Sequence, residues 1–336
     1  MNPAVRIVDT SLRDGSHAKS HQFTLEMIEA VAGGLDRVGI PYIEVSHGDG
    51  LGGASLVYGF PLFSDEERLE VAHKVIKRAK LTVLCLPGIG TRKDLEMAAE
   101  NGAKVARICT HCTEANISAQ QISQAKDLGM EVMTFLMMCH MISPEELLEQ
   151  AKLMEGYGAD VVYATDSAGA CTPQMVKDRI SLLSHHLGCE VGFHAHNNLG
   201  LAIGNSLIAV ENGAQYIDGT VRGIGAGAGN AMTEVLVAAL ERAGYKTGID
   251  LLGLIDFADN IFAPIMDRPQ IIDGSSLILG YAGVYSSFLL HTFRAAEKFN
   301  VDPRQVLIRL GELKTVGGQE DMIVDVAYQL AQEKKK

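Results

Sequence analysis

Glycine-led apolar runs recur through the first two-thirds of the chain, amphipathic stretches with helix-start signals lie between them, and polar residues gather at the C-terminal ends of the runs. Together these three observations predict a (β/α)8 TIM barrel, here with a C-terminal helical extension. The runs are Gly39-Ile-Pro-Tyr-Ile-Glu-Val, Gly102-Ala-Lys-Val-Ala-Arg-Ile, Gly129-Met-Glu-Val-Met-Thr-Phe, Gly158-Ala-Asp-Val-Val-Tyr, Gly188-Cys-Glu-Val-Gly-Phe and Gly213-Ala-Gln-Tyr-Ile-Asp. From Gly102 onward these glycines stand roughly 25 to 30 residues apart, the length of one helix, a left-handed glycine stop and the next strand.

In order, the strands are expected near residues 5-12, 41-46, 81-86, 104-110, 131-138, 160-165, 190-196 and 215-221, each followed by a helix. Leu81-Thr-Val-Leu-Cys-Leu86 supplies the strand inside the double-length gap between Gly39 and Gly102. In the first helix Leu25, Ile28, Val31, Leu35 and Val38 share one face. Ser143-Pro144-Glu145-Glu146 combines an N-cap, a proline at the first helical position and a capping-box glutamate; Thr172-Pro173 and Thr91 are weaker starts. An open doubly wound sheet has the same alternation. Motif placement favours closure: Asp14, Asp166-Ser167, His194, His196 and the loop from Gly223 to Asn230 all fall at or past the ends of strands 1, 6, 7 and 8. In a barrel those ends form one mouth.

Beyond about residue 245 the rhythm stops, and helices separated by Pro264, Pro269, Gly274 and Pro303 follow, with a last amphipathic segment from Met322 to Leu330. The expected division is therefore a barrel over 1-245 and a helical subdomain over 246-336. The subdomain has three readings from pattern alone: a cover for one barrel surface, a carrier of a residue over the mouth, or an oligomer or partner interface.

The chain has 336 residues, 47% of them hydrophobic, enough for a large core. Its formal net charge of -12 argues against nucleic acid as a partner, and Lys334-Lys335-Lys336 reads as a solvated end. No basic start precedes an apolar segment and no apolar run reaches bilayer length, so a soluble, cytoplasmic protein with no membrane partner is expected. Cys85, Cys109, Cys112, Cys139, Cys171 and Cys189 are scattered, and Cys109-Thr-His-Cys112 lacks a second pair, which favours ordinary reduced thiols.

Chemistry concentrates in two places. In Val191-Gly-Phe-His194-Ala-His196 the two imidazoles fall on one strand face and can meet on one metal ion. Asp14 by itself could cap a helix or pair with Arg13; as the carboxylate of a two-His, one-carboxylate set it leaves positions open for substrate. Arg13 offers a planar fork to a carboxylate or enolate oxygen, with a structural ion pair as its plainer role. His17, an imidazole three residues past Asp14, is a candidate general base, ahead of His21 and His47. Ser167 either donates to a bound carboxylate or caps a loop. The glycine-rich loop after strand 8 either cradles an anion through backbone N–H groups or simply lets backbones approach closely.

Five segments then carry a resemblance: Asp9-Thr-Ser-Leu-Arg13-Asp14-Gly-Ser-His17, Thr165-Asp-Ser167-Ala-Gly, His194-Ala-His196-Asn-Asn-Leu-Gly, Gly225-Ala-Gly-Ala-Gly-Asn230 and Gly280-Tyr-Ala-Gly-Val-Tyr285-Ser-Ser-Phe. In this order, from about residue 5 to beyond residue 315, the chain resembles the 4-hydroxy-2-oxovalerate aldolases. These are class II pyruvate aldolases of the 3-hydroxy-3-methylglutaryl-CoA lyase-like superfamily. The resemblance implies a divalent ion, usually Mn2+, on Asp14, His194 and His196. It implies Arg13 as the residue that steadies the pyruvate enolate, His17 as catalytic base, Ser167 as a substrate contact and Tyr285 as a second contact from the extension, with Tyr281 the neighbouring alternative.

The implied reaction is aldol cleavage of a 4-hydroxy-2-oxo acid, 4-hydroxy-2-oxopentanoate in the first instance, to pyruvate and acetaldehyde. The ion and Arg13 stabilise negative charge as the C3–C4 bond breaks, and His17 takes the 4-hydroxyl proton. A Schiff-base route would need a lysine at the mouth; Lys80 and Lys104 sit at strand starts, which leaves Lys19. Similarity to the family further implies a complex with an acylating acetaldehyde dehydrogenase. The alternatives are a Claisen-type synthase of the isopropylmalate or homocitrate kind and a non-catalytic metal-binding subunit. The synthases resemble Arg-Asp-Gly-Glu-Gln where this chain has Arg13-Asp-Gly-Ser-His17, and commonly carry Asp where it has Asn198.

Overall fold

Strands of this chain are apolar on both faces because both faces are covered. In the computed structural model, which describes residues 4–286 and 288–334, they are β1 (Arg6–Leu12), β2 (Tyr42–Val45), β3 (Lys80–Cys85), β4 (Val105–His111), β5 (Glu131–Met137), β6 (Val161–Asp166), β7 (Glu190–Ala195) and β8 (Tyr216–Gly219). Ser287 of the tyrosine motif and Lys335 and Lys336 of the terminal lysine run lie outside the described residues. The strands pair in parallel in sequence order, and β8 pairs with β1 through Arg6↔Tyr216 and Val8↔Asp218, so the barrel closes. No described helix is long and apolar enough to cross a membrane.

Side-chain alternation sorts each strand into an inner and an outer set. Ile7, Ile43, Val83, Ala106, Val132, Val162, Phe193 and Ile217 join the cluster shared with the surrounding helices. Val8, Tyr42, Leu84, Val105, Phe135, Tyr163 and Tyr216 form a second cluster. Having the opposite parity, it is the interior. Gly192 belongs to the inner set, and a Cβ there would lie 2.5 Å from the Tyr163 ring, so glycine is what lets that ring fill the interior. At the N-terminal rim charged side chains close the barrel: Glu131 pairs with Lys80, and Glu190 with Arg6.

Helices follow the strands as α1 (Leu25–Val38), α2 (Asp65–Val75), α3 (Arg92–Glu100), α4 (Ala119–Asp127), α5 (Pro144–Gly156), α6 (Pro173–His186), α7 (Ala202–Glu211) and α8 (Thr233–Arg242). Thr24 caps α1 by accepting from Met27 N, and Gly39 at φ 92° stops it in the left-handed conformation. Ser143 and Glu146 form the full capping box of α5.

Two local details depart from the sequence pattern. Strand β7 ends at Ala195, one residue short of His196, which instead bridges to Asn230. The chain after β2 does not turn directly into a helix. Residues 46–64, rich in glycine and broken by Pro61, make a long excursion, pinned by Asp65 at the start of α2, whose oxygens accept from His47 N and Gly52 N.

After the barrel, α9 (Leu251–Phe257) and the π turn Ala258–Phe262 pack against the barrel cluster through Leu254, Phe257, Ala258 and Phe262. The remaining helices, α10 (Gly274–Ala282), α11 (Phe288–Phe299), α12 (Pro303–Glu312) and α13 (Met322–Glu333), surround a core of their own built on Leu279, Phe288, Leu307, Leu310, Ile323 and Val326.

Two helix glycines should respond oppositely to alanine. A Cβ on Gly34 in α1 would lie 2.2 Å from the Phe257 ring, so Gly34→Ala should destabilise by about 1–3 kcal/mol through overpacking. Gly204 in α7 faces open space, and Gly204→Ala should stabilise by about 0.5–1 kcal/mol through reduced chain entropy in the unfolded state. Urea unfolding of the two variants reads both signs; a stabilised Gly34→Ala variant would refute the packing account.

Candidate active site

Where β1 ends, the chain turns at Arg13 into a short 3-10 turn, Asp14–His17. Arg13 N donates to Thr10 O, Ser16 Oγ to Leu12 O, and the buried Arg68 guanidinium to Leu12 O, so the turn is held rigidly at the mouth. Gly15 meets the loop after β8: a Cβ there would be 2.7 Å from Ile224.

This turn delivers Asp14 to the two histidines. Asp14 Oδ2 lies 3.2 Å from His194 Nε2 and 3.5 Å from His196 Nε2, and all three side chains are almost completely buried. Arg13 Nη1 approaches the same oxygen at 3.3 Å. Asn230 Nδ2 donates to it at 2.9 Å and lies 3.3 Å from His194 Nε2. Burial would raise the Asp14 carboxyl, but Arg13 and the imidazoles hold it well below the usual range. Burial pushes His196 down to about 4, leaving it a neutral imidazole. His194 is opposed by burial too, yet its contacts with Asp14 and Asp218 raise it.

The donor set suits a divalent cation: one carboxylate oxygen and two imidazole nitrogens converge on a single region. Asn230 Oδ1 is buried without a hydrogen-bond partner among the described residues; a carboxamide turned end for end would present that oxygen to the same place.

Behind these residues runs a chain of buried charges that sequence reasoning missed. His194 Nδ1 contacts Asp218 Oδ2 at 2.7 Å; Arg107 Nη2 reaches that same oxygen at 2.5 Å. Arg107 Nη1 lies 3.3 Å from Glu44 Oε1, and Glu44 Oε2 accepts from Arg13 Nε at 2.7 Å. The Arg107 guanidinium also stacks on Phe135 at 4.0 Å and faces Tyr163 at 4.8 Å. A signal was present: Glu44, Arg107 and Asp218 each interrupt an apolar run at a position of interior parity.

The other sequence candidates occupy the rim. Ser167 Oγ accepts from Met138 N at 3.1 Å. Tyr285 hydroxyl lies 2.8 Å from Met137 Sδ, and burial together with nearby Cys109 pushes its pKa up. His140 Nε2 bonds Gly283 O at 3.3 Å and so ties the end of α10 to the same side of the mouth. Tyr281, by contrast, is 72% exposed on α10. His17 turns toward the excursion after β2, where its ring lies edge-on to His21 at 5.3 Å. Lys19 pairs with Asp267 at 2.5 Å, and Lys80 stands with Glu131 at the opposite rim. All six cysteines are free; Cys109 and Cys112 are buried.

Glycines after β8 serve close approach. A Cβ on Gly225 would fall 1.9 Å from Asn230 Oδ1, and one on Gly227, 2.5 Å from Asn198 Oδ1. Asn198 itself donates to Ala168 O and accepts from Ala228 N, joining the Ser167 loop to the glycine-rich one.

With this geometry in view, likeness to known proteins is informative. Residues 4–261 match the HMGL-like family and residues 270–332 the DmpG-like communication domain. The chain is 62% identical over all of its length to a 4-hydroxy-2-oxovalerate aldolase of Carboxydothermus hydrogenoformans, covering 100% of that protein. It is 60% identical to the 4-hydroxy-2-oxovalerate aldolase of Moorella thermoacetica, over 98% of each chain. Among solved structures, the carboxyl transferase domain of Rhizobium etli pyruvate carboxylase with oxamate and biotin superposes with TM-score 0.82 at 15% identity, over 99% of this chain and 61% of that one. That likeness concerns the fold alone. Matched along its whole length by relatives of one name, and by both of their component families in order, the chain belongs to the 4-hydroxy-2-oxovalerate aldolase family of carbon–carbon lyases.

Proposed function

We propose that this chain cleaves 4-hydroxy-2-oxopentanoate to pyruvate and acetaldehyde, with a divalent cation, Mn2+ in our reading, held by Asp14, His194 and His196. The observation that carries the reading is the convergence of Asp14 Oδ2 with both imidazole Nε2 atoms beside the Arg13 guanidinium. When bound there, such a cation supplies Lewis acidity toward the vicinal carboxylate and 2-oxo oxygens of the substrate.

The chain's own residues do the rest. Arg13, its fork anchored by Glu44, presents a permanent positive charge to the 2-oxo oxygen, where negative charge develops as the C3–C4 bond breaks. His17 takes the 4-hydroxyl proton; the O–H electrons form the aldehyde C=O, and the C3–C4 pair moves to C2–C3 to give the enolate of pyruvate. Ser167 and Tyr285, on the β5–β6 side of the mouth, fit as hydroxyl contacts to the substrate carboxylate and aldehyde ends. Asp218 accepts from His194 Nδ1, which would leave the Nε2 lone pair for the cation. The DmpG-like match over 270–332 supports docking of an acylating acetaldehyde dehydrogenase on the helical extension. A cytoplasmic setting agrees with that pairing.

Four measurements test this reading. Chelated enzyme should lose pyruvate release from 4-hydroxy-2-oxopentanoate and regain it with Mn2+. Asp14→Asn should fall by at least about 100-fold without such rescue, and near-normal cleavage by that variant would reject the cation assignment. His17→Ala should lower cleavage by about 10²–10⁴-fold while sparing deuterium exchange at the pyruvate methyl, which involves no 4-hydroxyl. Equal losses in both would remove His17 from the proton transfer. Asp218→Asn should weaken cation affinity by about 10–100-fold, with cleavage recovering at high Mn2+; unchanged affinity would mean that His194 needs no orienting partner.

A further inference from the structure

A second group of ligand-type side chains stands beside the first. Nitrogens of His17 and His21 and a carboxylate oxygen of Asp49 lie within 4.8 Å of one another. We propose that His17, His21 and Asp49 form a second cation site selective for zinc-like ions, distinct from the centre on Asp14, His194 and His196.

Local structure makes this more than a coincidence of side chains. Gly48 leaves a bare stretch of backbone over which both rings converge: a Cβ there would be 2.7 Å from His21 Cε1 and 2.9 Å from His17 Nε2. His21 is 6% exposed, and its Nδ1 is buried with no hydrogen-bond partner among the described residues. Leaving such an atom unpaired costs about 1–3 kcal/mol, which ligation would recover.

His47 acts as the brace. Its Nδ1 accepts from Asp49 N at 3.1 Å and its Nε2 contacts Gly59 O at 3.2 Å, so both nitrogens are occupied and it is not itself a ligand. Its ring stacks on His21 at 3.9 Å and 18°, fixing the plane of that imidazole. His17 and Asp49 are partly exposed, which gives an ion a way in and leaves positions for water.

Two imidazoles and one carboxylate favour Zn2+ over the hard ions Mg2+ and Ca2+, and over Mn2+ by the usual order of divalent affinities. Where His17 is the base, as proposed above, an ion on its nitrogen occupies the lone pair that would accept the proton. Zinc on these residues would then inhibit cleavage even while the first centre keeps its Mn2+. Only this consequence rests on the aldolase reading; the site itself rests on the geometry.

Zinc counting decides it. Metal-free full-length protein, dialysed against low-micromolar ZnCl2, should hold about two zinc ions per chain, and His196→Ala, Asp49→Asn and His21→Gln about one each. The doubles His196→Ala/Asp49→Asn and His196→Ala/His21→Gln should hold close to none. A His196→Ala variant that binds no zinc, or doubles that bind as much as His196→Ala alone, would overturn the site; should His21→Gln fail to fold, the partly exposed Asp49 decides. With Mn2+-loaded enzyme, Asp49→Asn should need at least about tenfold more zinc than wild type for half-inhibition. Zinc counts as expected but no inhibition would leave the site standing and remove His17 as base.

Discussion

A relay of alternating charge through the barrel interior, Arg13–Glu44–Arg107–Asp218–His194, is the constraint on which the rest of the molecule depends. Each member is nearly or completely buried, and a lone ion in that position would cost several kcal/mol. None is alone. Arg107 lies between two carboxylates and two aromatic faces, and each carboxylate passes its charge on to a residue of the mouth, Glu44 to Arg13 and Asp218 to His194. The guanidinium above Asp14 and the imidazole beside it are therefore oriented from below by one connected set of ion pairs, which local turn geometry alone would not provide.

Barrel closure is what makes that relay possible. Glu44, Arg107, His194 and Asp218 come from four different strands, β2, β4, β7 and β8, and meet only because the sheet joins β8 back to β1. Below them Tyr42, Tyr163, Tyr216 and Phe135 fill the interior, so the charges sit on an aromatic floor with the mouth above. At the N-terminal side the Lys80–Glu131 and Arg6–Glu190 pairs line the rim.

Much of this was legible in the residues. Periodic glycines located six of the eight strands to within a residue or two, because a helix stop followed by an apolar run is a local signal. Ser143 and Thr172 behave as helix starts for the same reason. The meeting of Asp14 with His194 and His196 followed from parity and from the common end of all parallel strands. Three things were not legible. The excursion over 46–64 depends on tertiary contacts of Asp65 with His47 N and Gly52 N. Asn230 enters the site through a loop whose path is set by the packing of Ile224 on Gly15. The relay needed Glu44, Arg107 and Asp218, far apart in the chain, to be read together, and each by itself is a single charge interrupting an apolar run. Of the two readings of the glycine-rich loop, close approach is the one that the contacts of Gly225 and Gly227 display.

Tyr285 reaches the mouth from a helical core separate from that of the barrel, and the Gly283–His140 bond anchors the segment that carries it. The wall of the barrel mouth is thus a composite, with part of it on loan from the appended module. Chimeras that exchange the module between related enzymes would transplant a stretch of this wall along with the outer surface. Choosing a crossover point just before residue 270 is, in that sense, also a choice about the shape of the mouth.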